Sequence, residues 1–406
     1  MSFLGKSGQS SVYAPSDILY RVRHLALITF FAYAAVCWPQ GAVGNGTFEG
    51  YPAVTLSNGT LQLTITLKGS TLTSIVLADD QERLSPLWNP IRTARELGQS
   101  HKFDGGAGHF VCVDGFGAAS PEENAAGMPF HGEAHAQTYE VHSGREGTST
   151  TATLTAKLPI VQEVFTRTFR AVDGENVVSV ETQLESLLGF DRPVNWAEHA
   201  TIGSPFLESG VTVVDLSGSR SQTRPYEQVN NGPVQRRLQG GKDFTWPMAP
   251  GLNGKPIDLR QTPDNPHYLD HATTLLDPTR DLQWVTALNP KKRLILGYVF
   301  RRSEYPWLQY WGNYPPTGKM ARGLEFSTQP YDVPRREVIN AGTMFNTPMF
   351  RWLPAKSMVR SKFLLFYAHI PEGFGKVDDV RLENRQIVIE DRSAHKQVTL
   401  AATLGL

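Results

Sequence analysis

Four short stretches combine imidazoles and carboxylates more densely than ordinary strand ends require. "MPFHGEAHAQTYEV" (128–141) holds His131, Glu133 and His135, and "NWAEHATIGSPF" (195–206) holds Trp196, Glu198 and His199. "NPHYLDHATTLLD" (265–277) holds Asp270 and His271, and "GLEFSTQPYDVPRRE" (323–337) holds Glu325 and Gln329. Imidazole and carboxyl groups are the side chains suited to moving protons near neutral pH. A lone histidine is more often structural than chemical, but four such clusters in one β-rich chain point to a shared cleft. His131 and His135 have the i, i+4 spacing of a helical zinc pair. Pro129 and Gly132 deny that stretch a helix, so no metal site is expected. Glu198 and His199 fall on opposite faces if their strand continues, so Glu198 reads as a solvated or salt-bridged residue.

The elements that must position these groups are strands. "GTLQLTITLKGSTLTSIVL" alternates Leu61, Leu63, Ile65 and Leu67 with polar residues, and Lys68-Gly69-Ser70 turns it into a second strand. "EVFTRTFRAVDGENVVSVETQLES" reads as a hairpin turning at Asp173-Gly174. "GVTVVDL", "LQWVTALN", "RLILGYVF" and "SKFLLFYAHI" supply further strands. No long 3.6-period apolar stripe follows residue 45. The pattern predicts an all-β protein, a large antiparallel β-sandwich, with strand content above roughly 40%. Ser219 to Asn265 is long, polar and rich in Pro and Gly, and is expected to be an ordered loop over the site carrying Trp246. "EYPWLQYWGNYPP" (304–316) is either core packing or a platform for the apolar face of a sugar.

The 406 residues include 39 basic and 39 acidic ones, so nothing marks a nucleic-acid partner or a polybasic membrane patch. Arg21, Arg23 and His24 precede the apolar run Leu25 to Val36, too short to span a bilayer and typical of an export signal. Residues 1–44 are therefore expected to be signal and leader, with cleavage between Ala34 and Gly44. Residues 45–406 should form a single periplasmic or extracellular domain with no membrane span. Cys37 lies at the edge of the leader, which leaves Cys112 as a packed small apolar residue, not a disulfide partner.

On these motifs the chain resembles the aldose 1-epimerase (galactose mutarotase-like) superfamily. "PFHG…YEV" looks like that family's first histidine motif, and "PVNWAEHATIG" is similar to its second. "YLDHAT" resembles its Asp-His segment, and "GLEFSTQP" its late glutamate strand. The motifs run in family order from about Asn58 to Pro371. The resemblance implies a large antiparallel β-sandwich that interconverts the anomers of a sugar by acid–base ring opening, with neither a metal nor a redox cofactor. It makes His199 the acid, Glu325 the base and His131 the group on the ring-oxygen side. Asp270 would bind a hydroxyl, with Trp196, Trp246, His135 and Gln329 as further substrate contacts, and Trp307 and Trp311 as candidates for stacking. His135 stands where the sugar-phosphate branch carries an arginine, which implies a neutral monosaccharide or the sugar end of an oligosaccharide. The family glutamate directly precedes Thr-Gln, and here that place holds Ser327. Glu325 lies two residues earlier, about 6.6 Å along a strand face. Two alternatives stay open: a non-catalytic carbohydrate-binding protein on the same scaffold, and a polysaccharide-processing enzyme using Glu198 and Glu325 as paired carboxylates.

Overall fold

The computed structural model describes residues 41–225, 235–264 and 267–406. It is 51% strand and 6% helix, as the alternating apolar pattern predicts. The largest sheet has twelve strands. It runs from Ala42–Phe48 through Tyr51–Ser57, Leu61–Thr66 and Leu72–Leu77 to His109–Val113 and Trp196–Gly203. It continues through Ala321–Gly323, Trp307–Tyr314, Tyr268–Leu276 and Gly218–Thr223 to Asp243–Thr245. The short strand Glu325–Ser327 bridges Trp196–Gly203 and Trp307–Tyr314.

A second, eight-stranded sheet faces it, centred on Glu163–Val172, Val177–Ser186 and Met358–His369. The expected hairpin across Asp173-Gly174 supplies two adjacent strands of this sheet. Strand Ser149–Leu158 buries every second residue, as its sequence alternation requires. The facing sides of the two sheets meet in an aromatic core in which Phe300 and Phe326 stack at 4.3 Å between centroids and Phe165 packs on Trp196. Fully burying each such side chain is worth about 1.5–3 kcal/mol. A three-stranded sheet, Asp379–Glu383, Gln386–Asp391 and Lys396–Ala401, packs with the eight-stranded sheet's opposite face in a second core.

One charged cluster crosses the sandwich. The fully buried carboxylate of Glu198 accepts hydrogen bonds from Arg167 at 2.8 Å, the His109 ring at 2.9 Å, and Trp196 Nε1 and the Tyr305 hydroxyl at 3.2 Å. Arg167 belongs to the eight-stranded sheet, whereas Glu198 and His109 belong to the twelve-stranded one. Burial alone would raise the Glu198 pKa, but Arg167 and the donated hydrogen bonds hold it below its ordinary value. The salt-bridged reading of Glu198 is right and the solvated one is wrong.

Ser219 to Asn265 is not a plain loop. It contributes part of Gly218–Thr223, then Asp243–Thr245, Met248–Pro250 and Pro256–Asp258, with 226–234 and 265 outside the described residues. The apolar run Leu25–Val36 also lies outside them. The first strand begins at Ala42, three residues ahead of the boundary read from sequence. Cys112 is buried and unpaired. Among the described residues, no helix is long and apolar enough to cross a membrane.

Candidate active site

The site is built by cross-strand register on the face of the twelve-stranded sheet that points away from the sandwich core. His199 pairs with Phe110, Gln309 with Glu325 and Thr273, and Trp311 with His271. Because successive side chains alternate faces, all these groups project together while Glu198, Phe326 and Tyr310 point into the core. His199, Phe110, Gln309, Glu325, Trp311 and His271 line a cleft of about 260 Å3, closed by Trp88, His101, Asp104, Phe130, His131 and Asp332.

His199 and Glu325 meet directly, with Nε2 and Oε1 3.3 Å apart. Thr201 Oγ1 lies 3.0 Å from His199 Nδ1, and the ring stacks on Phe110 at 4.2 Å. Gln309 Nε2 donates to Glu325 Oε2 at 2.6 Å, which leaves Oε1 for chemistry. Gly323 makes this arrangement possible: a Cβ there would lie 2.0 Å from Glu325 Oε1. His131 holds an uncommon left-handed backbone, φ 66°, and its Nδ1 accepts the Gly117 N–H at 3.0 Å. A neutral His131 therefore carries its proton on Nε2. The following Gly132 is required by contact, since a Cβ there would sit 2.1 Å from the Val113 carbonyl oxygen.

Burial sets the protonation of the site. It pushes Glu325 up to about 8 and His199 down to about 3, and holds His131 and His271 well below the ordinary histidine value. The Glu325–His199 pair thus holds one mobile proton across the neutral range. A proton transfer between the two atoms converts carboxylic acid plus imidazole into carboxylate plus imidazolium without changing total charge.

Of the residues read from sequence, His199, Glu325 and His131 come together. Glu325 projects into the same cleft as His199, because the short strand Glu325–Ser327 lies beside Trp196–Gly203. Ser327 instead donates to the Gln329 carbonyl at 2.5 Å. The expected substrate contacts are corrected. Asp270 points inward and is ion-paired to Arg237, so the next residue, His271, faces the cleft. Trp196 is fully buried between the sheets, three residues and therefore one face away from His199. Trp307 is also fully buried, and Trp246 packs against the core. Of the four tryptophans, Trp311 alone lines the cleft, with Trp88 edge-on to it at 6.1 Å. His135 is buried behind Phe110, and Gln329 is held by Asn195 and the Tyr331 carbonyl. Glu198, sealed in the core, cannot act as a second carboxylate against a glycosidic bond. Sequence reasoning missed Gln309, Asp332, Trp88 and Phe110, because each is recruited through distant register or loop packing.

No protein-family model and no curated protein matches the sequence. Solved structures do match the fold. A candidate aldose 1-epimerase from Klebsiella pneumoniae aligns with TM-score 0.54 at 14% identity, over 79% of this chain and 80% of that one. A galactose mutarotase-like protein from Clostridium acetobutylicum aligns with TM-score 0.54 at 12% identity, over 82% and 99%. A galactose mutarotase related enzyme from Lactobacillus acidophilus aligns with TM-score 0.50 at 13% identity, over 79% and 99%. The chain has the galactose mutarotase-like fold, the class of sandwich that the sequence motifs imply.

Proposed function

We propose that the protein is an aldose 1-epimerase-like enzyme that opens and recloses the hemiacetal of a neutral sugar. The observation that carries this reading is the buried His199–Glu325 pair, with its two reactive atoms 3.3 Å apart on the cleft wall. A hemiacetal carbon bears two oxygens, the anomeric hydroxyl and the ring oxygen, so an acid and a base placed side by side can serve both. After the pair's proton passes from Glu325 to His199, Glu325 takes the hydroxyl proton and His199, assisted by the Nε2–H of His131, protonates the ring oxygen, so that the bond from C1 to the ring oxygen breaks as the C1 carbonyl forms. The C1–C2 bond then rotates, and the reverse transfers close the ring on the other face. The contact between His199 and Glu325 favours the catalytic reading over a non-catalytic scaffold. The basic-flanked apolar run near the N-terminus supports action outside the cytoplasm, on free sugars.

The test is polarimetry of freshly dissolved α-glucose and α-galactose, corrected for the spontaneous reaction, across pH. The reaction needs one proton on the pair. With Glu325 near 8, raising the pH through that value removes the proton and leaves no acid, so kcat/KM should fall above pH about 8. With His199 near 3, the pair gains a second proton and is left without a base only in strong acid. A kcat/KM that rises through pH 8 would assign the titration to a group other than this pair.

A further inference from the structure

We infer that Asp332, together with His271, is the specificity-determining clamp of this cleft and binds two adjacent hydroxyls of the sugar remote from its anomeric carbon. The inference rests on the sugar reading above and adds the residues that choose among sugars. Asp270, which the sequence motif offers for that task, is sealed away on Arg237. Asp332 is the carboxylate that the cleft presents in its place, with a side chain 18% exposed.

Its position is set with unusual care. The Asp332 backbone N–H donates to Gln309 Oε1 at 2.7 Å, and the other end of the same amide holds Glu325. One glutamine therefore fixes the distance between the proposed base and the clamp. Arg224 pairs with Asp332 Oδ1 and donates to its backbone carbonyl at 3.2 Å. The same guanidinium lies 3.1 Å from His271 Nδ1, and His271 Nε2 is 3.6 Å from Asp332 Oδ1. No hydrogen bond among the described residues engages Asp332 Oδ2. The backbone of residue 117 also fits Asp332 closely, since a Cβ at Gly117 would lie 2.2 Å from the Asp332 carbonyl oxygen.

This wall suits hydroxyls and not phosphate. A carboxylate accepts only, and its two oxygens match two neighbouring O–H donors. The Arg224 charge is already met by Asp332, and no cleft-lining residue among those described is Lys or Arg. Asp104 adds a third carboxylate at the cleft, beside Glu325 and Asp332. Trp311, cross-strand partner of His271, lines the cleft next to the clamp and offers an aromatic surface for the sugar's apolar C–H groups.

The experiment measures dissociation constants by tryptophan fluorescence for glucose, galactose and their singly deoxygenated analogues, with the unmodified protein, Asp332→Asn and His271→Asn. For the unmodified protein, removing either of two adjacent hydroxyls should weaken binding by about 10–100-fold, the scale of a hydrogen bond to a charged group. Asp332→Asn should weaken the parent sugar by a similar factor and bind the same deoxy analogues no worse than the parent. His271→Asn carries the same comparison if Asp332→Asn does not fold. Deoxy losses that persist in full in both variants would overturn the clamp, as would failure of the unmodified protein to bind any of these sugars. The coupling without anomer interconversion would keep the clamp and remove the epimerase reading. Interconversion with persisting deoxy losses would do the reverse.

Discussion

His199→Ala and Glu325→Gln should each slow anomer interconversion by roughly 10²–10⁴-fold, the usual contribution of a positioned general acid or base. Neither change removes an apolar side chain from the core between the sheets, so the loss should come with an intact fold. Glu325→Gln provides an internal control on this point. The folded protein holds Glu325 up at about 8, against an ordinary value of 4.5. Folding therefore favours the protonated form, and the stability associated with it is present below pH about 4.5 and lost as pH rises through 8. A glutamine has no such titration. The variant should match the unmodified protein in acid and exceed its melting temperature increasingly between pH 5 and 9, while being the slower catalyst. A glutamate variant that keeps full activity would move the base elsewhere.

The largest stability effect is expected at Glu198. Replacing it by Gln removes the charge that Arg167 faces in the middle of the sandwich, where both side chains are fully buried. Breaking a buried pair by removing one partner leaves an uncompensated ion and costs about 3–5 kcal/mol. Urea denaturation of Glu198→Gln should show a loss of that size. The double variant Arg167→Met with Glu198→Gln should recover part of it, because the stranded cation is gone. A loss below about 1 kcal/mol for the single variant would mean that the cluster is not what ties the two sheets together at this point.

What the sequence reveals follows from the range of the forces involved. Strand alternation and turn residues act within a few positions, so the hairpin through Asp173-Gly174 and the turn at Lys68-Gly69-Ser70 are legible by eye. His131, His199 and Glu325 are legible because their chemistry is distinctive, and Gly323, two residues before Glu325, leaves the space that carboxylate needs. The assignments of Trp196 and Asp270 fail on facing alone: three residues from His199, and one from His271, each lies on the other side of its strand. Strict alternation applied to Trp196 would have excluded it. Gln309 and Asp332 could not be found that way. Gln309 is an amide among aromatics until the strand Glu325–Ser327 pairs with it, and Asp332 becomes a site residue only where its loop meets Gln309 and Arg224.

The most direct test of the central claim is magnetisation exchange between the α and β anomeric signals of 13C1-labelled glucose and galactose at equilibrium, with protein added at a small fraction of the sugar. Because the reading is acid–base ring opening with no net reaction, exchange between the two signals should accelerate in proportion to protein concentration, and the acceleration should vanish with Glu325→Gln. Exchange no faster than in buffer for either sugar, with sugar binding demonstrated in the same sample, would contradict the account.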